Sequence, residues 1–174
     1  MYKKILIVLE GKETDEALVT HIQALAAHTR AEVTLLRVIT VADDEAGGLG
    51  LQFQTEIGSS GWRRMNQAKS LLPQIERRLR KAGLCVETAL IVSTRSEAEA
   101  IVHHAAENDC DLIAMACDAR PWYKRWLGGD LAKGVLRKAT VPTLFVGDGA
   151  RAAPEKRTSP EKNRVMELFG NASL

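Results

Sequence analysis

Residues 111–147 read Asp-Leu-Ile-Ala-Met-Ala-Cys-Asp-Ala-Arg-Pro-Trp-Tyr-Lys-Arg-Trp-Leu-Gly-Gly-Asp-Leu-Ala-Lys-Gly-Val-Leu-Arg-Lys-Ala-Thr-Val-Pro-Thr-Leu-Phe-Val-Gly. Asp111 to Cys117 is a short apolar run of the kind found in strands buried on both faces. A long loop follows. A helix then opens at Gly128-Gly129-Asp130 and runs to Lys138, and Thr143 to Gly147 forms a second apolar strand. Strand, loop, helix and strand in this order make half of a doubly wound α/β sheet. The junction of loop and helix is where such a sheet usually holds a phosphate, because the amides of the first helical turn point outward there.

The same alternation extends toward the N-terminus. Ile5 to Leu9 is a continuous apolar run ended by Glu10-Gly11-Lys12. Thr14 or Asp15 can cap the helix that follows, whose Leu18, Ile22 and Leu25 recur at helical spacing. Glu32 to Thr40 is rich in β-formers. Ala42 to Ser60 is a long Gly-rich connection, a length that often marks a functional cover or a mobile segment. A basic helix from about Trp62 to Ala82 buries Met65, Ala68, Leu72, Ile75 and Leu79, with Pro73 expected to kink it and Gly83 placed as its C′ residue. Cys85 to Val92 is a third strand. Ser96 and Glu99 form a capping box for a helix reaching about Asn108. The chain thus reads βαβαβαβαβ, a doubly wound parallel sheet with helices on both faces. Ligand sites in such sheets lie beyond the carboxyl ends of the strands.

The bulk properties set limits. A chain of 174 residues holds one domain and a tail, and 45% hydrophobic content suffices for a full core. A net charge of +2 does not mark a nucleic-acid binder. Cys85, Cys110 and Cys117 are odd in number and include no Cys-x-x-Cys, the usage of a reducing cytoplasm. The N-terminal apolar run is too short for a signal peptide, and no run approaches the roughly 18 residues that span a bilayer. From Asp148 the composition turns to Ala, Pro, Lys, Arg and Ser, a tail over 148–174 with a short helix expected near 160–169.

Residues 1–147 resemble the universal stress protein family. Lys-Lys-Ile-Leu-Ile-Val-Leu-Glu-Gly at the start looks like its first strand, which normally ends in Asp, and Leu35-Leu36-Arg37-Val38 looks like its second. Ser96 to Asp111 looks like its third helix. Leu127-Gly128-Gly129-Asp130, with Val135 to Pro142, looks like its fourth helix and exit. The resemblance implies a five-stranded parallel sheet in the order 3-2-1-4-5. Its nucleotide-binding members carry Gly-x-x-Gly, nine residues, then Gly-[Ser/Thr]. Here Ala116 and Ala119 stand on the first two glycines, Gly129 on the third and Asp130 on the hydroxyl residue. Glu10, beside Gly11, stands where the family's Asp contacts the adenosine part, and Val38 where a backbone contact to adenine is made. Each alanine Cβ obstructs the close approach of amides to phosphate. Asp130 would cap its own helix and repel a polyphosphate by roughly 1–4 kcal/mol at ~4 Å, depending on the effective dielectric. Arg120, Lys124 and Arg125 could partly offset that repulsion.

Other constellations read more plainly. Glu99, His103 and Glu107 share a helix face with His104 beside them, a spacing that can hold a metal but more often marks a solvated face. Cys117 at a strand end is more often a small packed thiol than a reactive one. Trp122, Tyr123 and Trp126 alternate with Lys124 and Arg125, a pattern that can stack nucleic acid and more often packs on its own helix. No nucleophile elbow or P-loop is present. Three functions follow as expectations. The first is a non-enzymatic stress-response module that needs no cofactor. It dimerises through Thr143 to Val146 and contacts unknown protein partners. The second is an ATP- or AMP-binding switch with slow hydrolysis at most. The third is a nucleic-acid or membrane-surface adaptor, without membrane insertion, that uses the basic helix and the Trp122–Trp126 loop. The mild net charge weighs against the third, and against nucleic acid above all.

Overall fold

A computed structural model describes residues 2–40, 59–117 and 130–147. The elements run β1 (Lys4–Val8), α1 (Thr14–Thr29), β2 (Glu32–Thr40), α2 (Ser59–Lys81), β3 (Val86–Ser93), α3 (Glu97–Glu107), β4 (Leu112–Cys117), α4 (Asp130–Lys138) and β5 (Thr143–Gly147). They form one parallel sheet in the order β3-β2-β1-β4-β5. The expected fold and strand order are those observed. The connection at 41–58, the aromatic and basic loop at 118–129, and the tail over 148–174, on which a short helix is expected near 160–169, lie outside the described residues.

Strand alternation divides the core into two layers. Ile5 and Ile7 of β1 and Leu9 just beyond it lie on one face, with Val33 and Leu35 of β2. They meet Leu18, Val19 and Ile22 of α1 and Leu72, Ile75 and Leu79 of α2. Leu6 and Val8 point to the other face with Leu36, Val38, Ile113 and Met115, against Ile101 and Ala105 of α3 and Val135 of α4. Side chains buried this completely each contribute about 1.5–3 kcal/mol, which is why continuous apolar strands rather than alternating ones specify this sheet.

Several boundaries depart from expectation for local reasons. Thr14 and Asp15 do not cap α1; the N-cap residue is Glu13, with no side-chain bond to the helix. Asp111 precedes β4 rather than opening it. Its carboxylate accepts the N–H groups of Lys3 (2.7 Å) and Lys4 (3.2 Å), tying the entry of β4 to that of β1. Pro73, the expected kink position, lies inside α2, which continues past it as one element of 23 residues. Pro73 itself is exposed. Gly83 takes φ +83° just past that helix, and Leu84 N–H closes back on the Leu79 carbonyl (3.2 Å), the C′ role expected of a glycine. The Ser96 hydroxyl accepts the Glu99 N–H (3.4 Å) and starts α3 as its capping box requires.

Candidate functional site

Sheet order reverses between β1 and β4, so the switch point lies at their carboxyl ends. Glu10 and Gly11 follow β1 there. Val38 sits in the last third of β2, only 2% exposed, and Ala116 lies one residue before the end of β4, paired in register with Val146. Asp130 is the first residue of α4. Ala119 and Gly129 lie outside the described residues. The Ala116 methyl belongs to the core layer under α1, so that position supplies packing as well as standing on the missing glycine.

The turn after β1 is built around Asp15. This carboxylate is 3% exposed and accepts the N–H groups of Glu10 (3.3 Å), Gly11 (2.7 Å) and Lys12 (3.2 Å). Successive amides converging on one point make an anion nest, and here the chain's own carboxylate fills it. Burial pushes the Asp15 carboxyl above its ordinary value of 3.8, against the three amides that favour its charged form. Gly11 adopts φ +74°, a conformation L side chains rarely take. A Cβ there would also meet the Gln67 carboxamide at 3.0 Å. Gln67 reaches down from α2 and donates Nε2–H to the Gly11 carbonyl (2.9 Å).

Arg37 completes the arrangement. It is an arginine in the middle of a mostly buried strand, 7% exposed, and it donates Nη1–H to the Leu9 carbonyl (2.8 Å). Burial pulls its guanidinium below its ordinary value, opposed chiefly by Glu97 at the start of α3. Burial likewise raises the Glu97 carboxyl, and Arg37 opposes that shift in turn. Glu10 pairs with Lys12. Between α2 and the carboxyl ends of β1 and β2, Leu9, Gly11, Arg37, Gln67, Ala68, Leu71 and Leu72 close together and leave no room for a water molecule.

Sequence reading placed Glu10, Gly11, Val38, Ala116 and Asp130 at strand ends or a helix start, and the fold puts them there. It missed Asp15 as the clamp of the turn, and it missed Arg37, Gln67 and Glu97 altogether. Arg37 had a visible signal, a charge in the middle of a buried strand. Gln67 had none, because its partner is 56 residues away. The candidate metal face is otherwise engaged. Glu99 pairs with Lys138 across to α4, His103 pairs with Glu107 (2.9 Å), and no cluster of three or more metal-ligating groups occurs among the described residues. Cys117, at the end of β4, is half-buried.

A parallel sheet in the order β3-β2-β1-β4-β5 with helices on both faces defines a doubly wound α/β protein. The sequence profile of the Universal stress protein family matches residues 1–147, and the chain belongs to that family. Universal stress protein MJ0577 of Methanocaldococcus jannaschii is 28% identical over 159 residues, which span 84% of this chain and 95% of that one. The solved structure of MJ0577 superposes with a TM-score of 0.65 at 26% identity, covering 88% of this chain and 99% of its own. The universal stress protein of Archaeoglobus fulgidus in complex with dAMP has a TM-score of 0.59 at 21% identity, covers 83% and 97% of the two chains, and shares the fold. No helix among the described residues is long and apolar enough to cross a membrane.

Proposed function

We propose that this chain is a regulatory stress-response module of its family, that it acts as a homodimer through contacts with protein partners, and that it binds nucleotide weakly or not at all. One observation carries the reading: the described part of the switch-point crevice is occupied by the protein's own groups. Asp15 takes three amides, Gln67 lies on Gly11, and Arg37 bonds the Leu9 carbonyl. Ala116, Ala119 and Asp130 in place of two glycines and a hydroxyl point the same way, with Gly129 alone retained. On this reading Glu10, Gly11, Val38, Ala116, Ala119, Gly129 and Asp130 are the positions of a degenerate nucleotide site. The functional unit is residues 1–147, with 148–174 as an appended tail, no catalytic residue is assigned, and the protein works in the cytoplasm.

The second reading, an AMP- or ATP-binding switch, is supported by the fold-sharing Archaeoglobus fulgidus protein, which was solved with dAMP. Isothermal titration with ATP and Mg²⁺, repeated with AMP, separates the two. A dissociation constant weaker than about 10 μM, roughly −7 kcal/mol, is the expected result, and tighter binding defeats the proposal. Restoring the motif with Ala116→Gly, Ala119→Gly and Asp130→Ser is expected to raise affinity, because it removes two Cβ obstructions and one repulsive charge. No gain in a folded triple variant would move the cause of weak binding to Asp15, Arg37 and Gln67.

A further inference from the structure

The charge of this chain is unevenly placed. Helix α2 carries seven Lys or Arg against one Glu, a net +6. The whole chain is +2, so everything outside α2 sums to −4. The fold turns that helix into a ridge. Ala68, Leu72, Ile75 and Leu79 bury one side of α2 against the sheet, and Arg63, Lys69, Arg77, Arg80 and Lys81 lie exposed on the other. Arg80 is engaged by Glu76 (2.8 Å), and half-buried Arg78 is engaged by Glu16 of α1. Arg63, Lys69, Arg77 and Lys81 have no carboxylate partner among the described residues. Arg77 is steadied by donating Nε–H to the Pro73 carbonyl (3.0 Å). From Arg63 to Lys81 the row is about 27 Å long at 1.5 Å per residue. Trp62, 51% exposed, stands at its first turn.

We propose that this face of α2 docks the protein onto an anionic lipid surface without inserting into it. Clusters of four to eight basic residues on an amphipathic helix suit the negative leaflet of a membrane. The apolar side of α2 is held by its own sheet, so binding is electrostatic, with Trp62 at the level of the headgroups. Glu97, Glu99 and Glu107 of α3 lie on the opposite face of the sheet from α2, are repelled by the same surface and turn α2 toward it. Nucleic acid fits less well. A groove reader needs a protruding element, whereas α2 lies flat along β2 and β3. A single-strand binder needs aromatic residues interleaved with the cations, and Trp62 is the one aromatic residue in this helix. The proposal is independent of whether the crevice binds nucleotide.

The test is flotation of the full chain with phosphatidylcholine vesicles, with and without phosphatidylserine, at low and high salt. The parent is expected to float with the phosphatidylserine vesicles alone and to be released by salt. The ridge variant Arg63→Gln/Lys69→Gln/Arg77→Gln/Lys81→Gln should partition on the order of a hundredfold or more less. A variant losing equal charge elsewhere, Lys3→Gln/Arg95→Gln/Lys133→Gln/Arg137→Gln, should still float. Should the ridge variant fail to fold, Lys69→Gln and Lys81→Gln singly carry the comparison, each with a loss of about fivefold. Failure of the parent to float at low salt overturns the proposal, as does equal loss in the two quadruple variants. Complete release of bound parent by a duplex oligonucleotide at equal phosphate would assign the ridge to nucleic acid instead.

Discussion

Asp15 shows how one side chain organises a turn that the sequence presents only as Glu-Gly-Lys-Glu-Thr-Asp. Its carboxylate gathers three amides that would otherwise be left at a partly buried turn. Asp15→Ala is expected to destabilise the fold by about 2–4 kcal/mol, and Asp15→Asn, which keeps one acceptor oxygen, by distinctly less. Urea denaturation followed by circular dichroism checks both; equal losses would mean that the carboxylate's bonds are not what holds the turn. His104 gives a second expectation. Its Nδ1 accepts from the Asn108 amide (3.2 Å), and its Nε2 is buried without a partner. Burial holds the folded imidazole below its ordinary value of 6.5, with Lys4 and His103 acting the same way and Glu107 against them. The folded state therefore binds fewer protons than the unfolded one below that value. This contribution to stability is complete above about pH 6.5 and is lost as pH falls through the folded value. His104→Gln should flatten the decline of the melting temperature as pH falls below about 6.5, and an unchanged slope would refute the assignment. Such residues are poorly legible in sequence, because their roles come from burial and from partners distant along the chain. Arg37 is the exception, since a cation in a buried strand announces a partner even when it does not name it.

Elements were far more legible than their contacts. The bounds of β2, α4 and β5 follow directly from apolar runs and caps, and those of β1, β3 and α2 shift by one to three residues, where fraying and turn geometry decide. Invisible in advance was which elements touch most closely. Gly134 in α4 faces Ala98 in α3, and a Cβ built on Gly134 would lie 2.8 Å from the Ala98 Cβ. Two effects compete in Gly134→Ala. Helix propensity favours alanine by about 1 kcal/mol, and overpacking costs about 1–3 kcal/mol. The clash should win, because two backbones rather than a flexible side chain must separate, leaving a net loss of about 1 kcal/mol. Combining Gly134→Ala with Ala98→Gly should recover much of it, with a coupling of about 1–2 kcal/mol in a double-mutant cycle by chemical denaturation. Additive effects would mean the helices relax apart without strain. The glycine inside α4 is thus explained by helix approach and not by the phosphate site it neighbours in sequence.

At the scale of the molecule, the open question for any parallel sheet is what becomes of its edges. This sheet ends in β3 on one side and β5 on the other, and an edge strand presents unpaired amides and carbonyls. The two edges differ in chemistry. β3 carries Glu87 and shows an exposed residue at several positions, the pattern of an edge guarded by charge and solvation. β5 runs Thr-Leu-Phe-Val-Gly with no charge at all, and its Thr143, Leu144 and Phe145 are only half-buried in the single chain. An uncharged, partly apolar edge next to β4 is an unstable surface for a lone chain. Pairing with a second copy across a two-fold axis would satisfy its backbone groups and cover Leu144 and Phe145 together. Light scattering after size exclusion should therefore give a mass near twice 19.1 kDa at micromolar concentration. Leu144→Pro removes a donor and should shift the mass toward one chain. Because that change also strains pairing with β4, Phe145→Lys serves beside it, placing a like charge near its symmetry mate. A wild-type mass of one chain, or dimers that survive both substitutions in folded protein, would remove β5 from the interface.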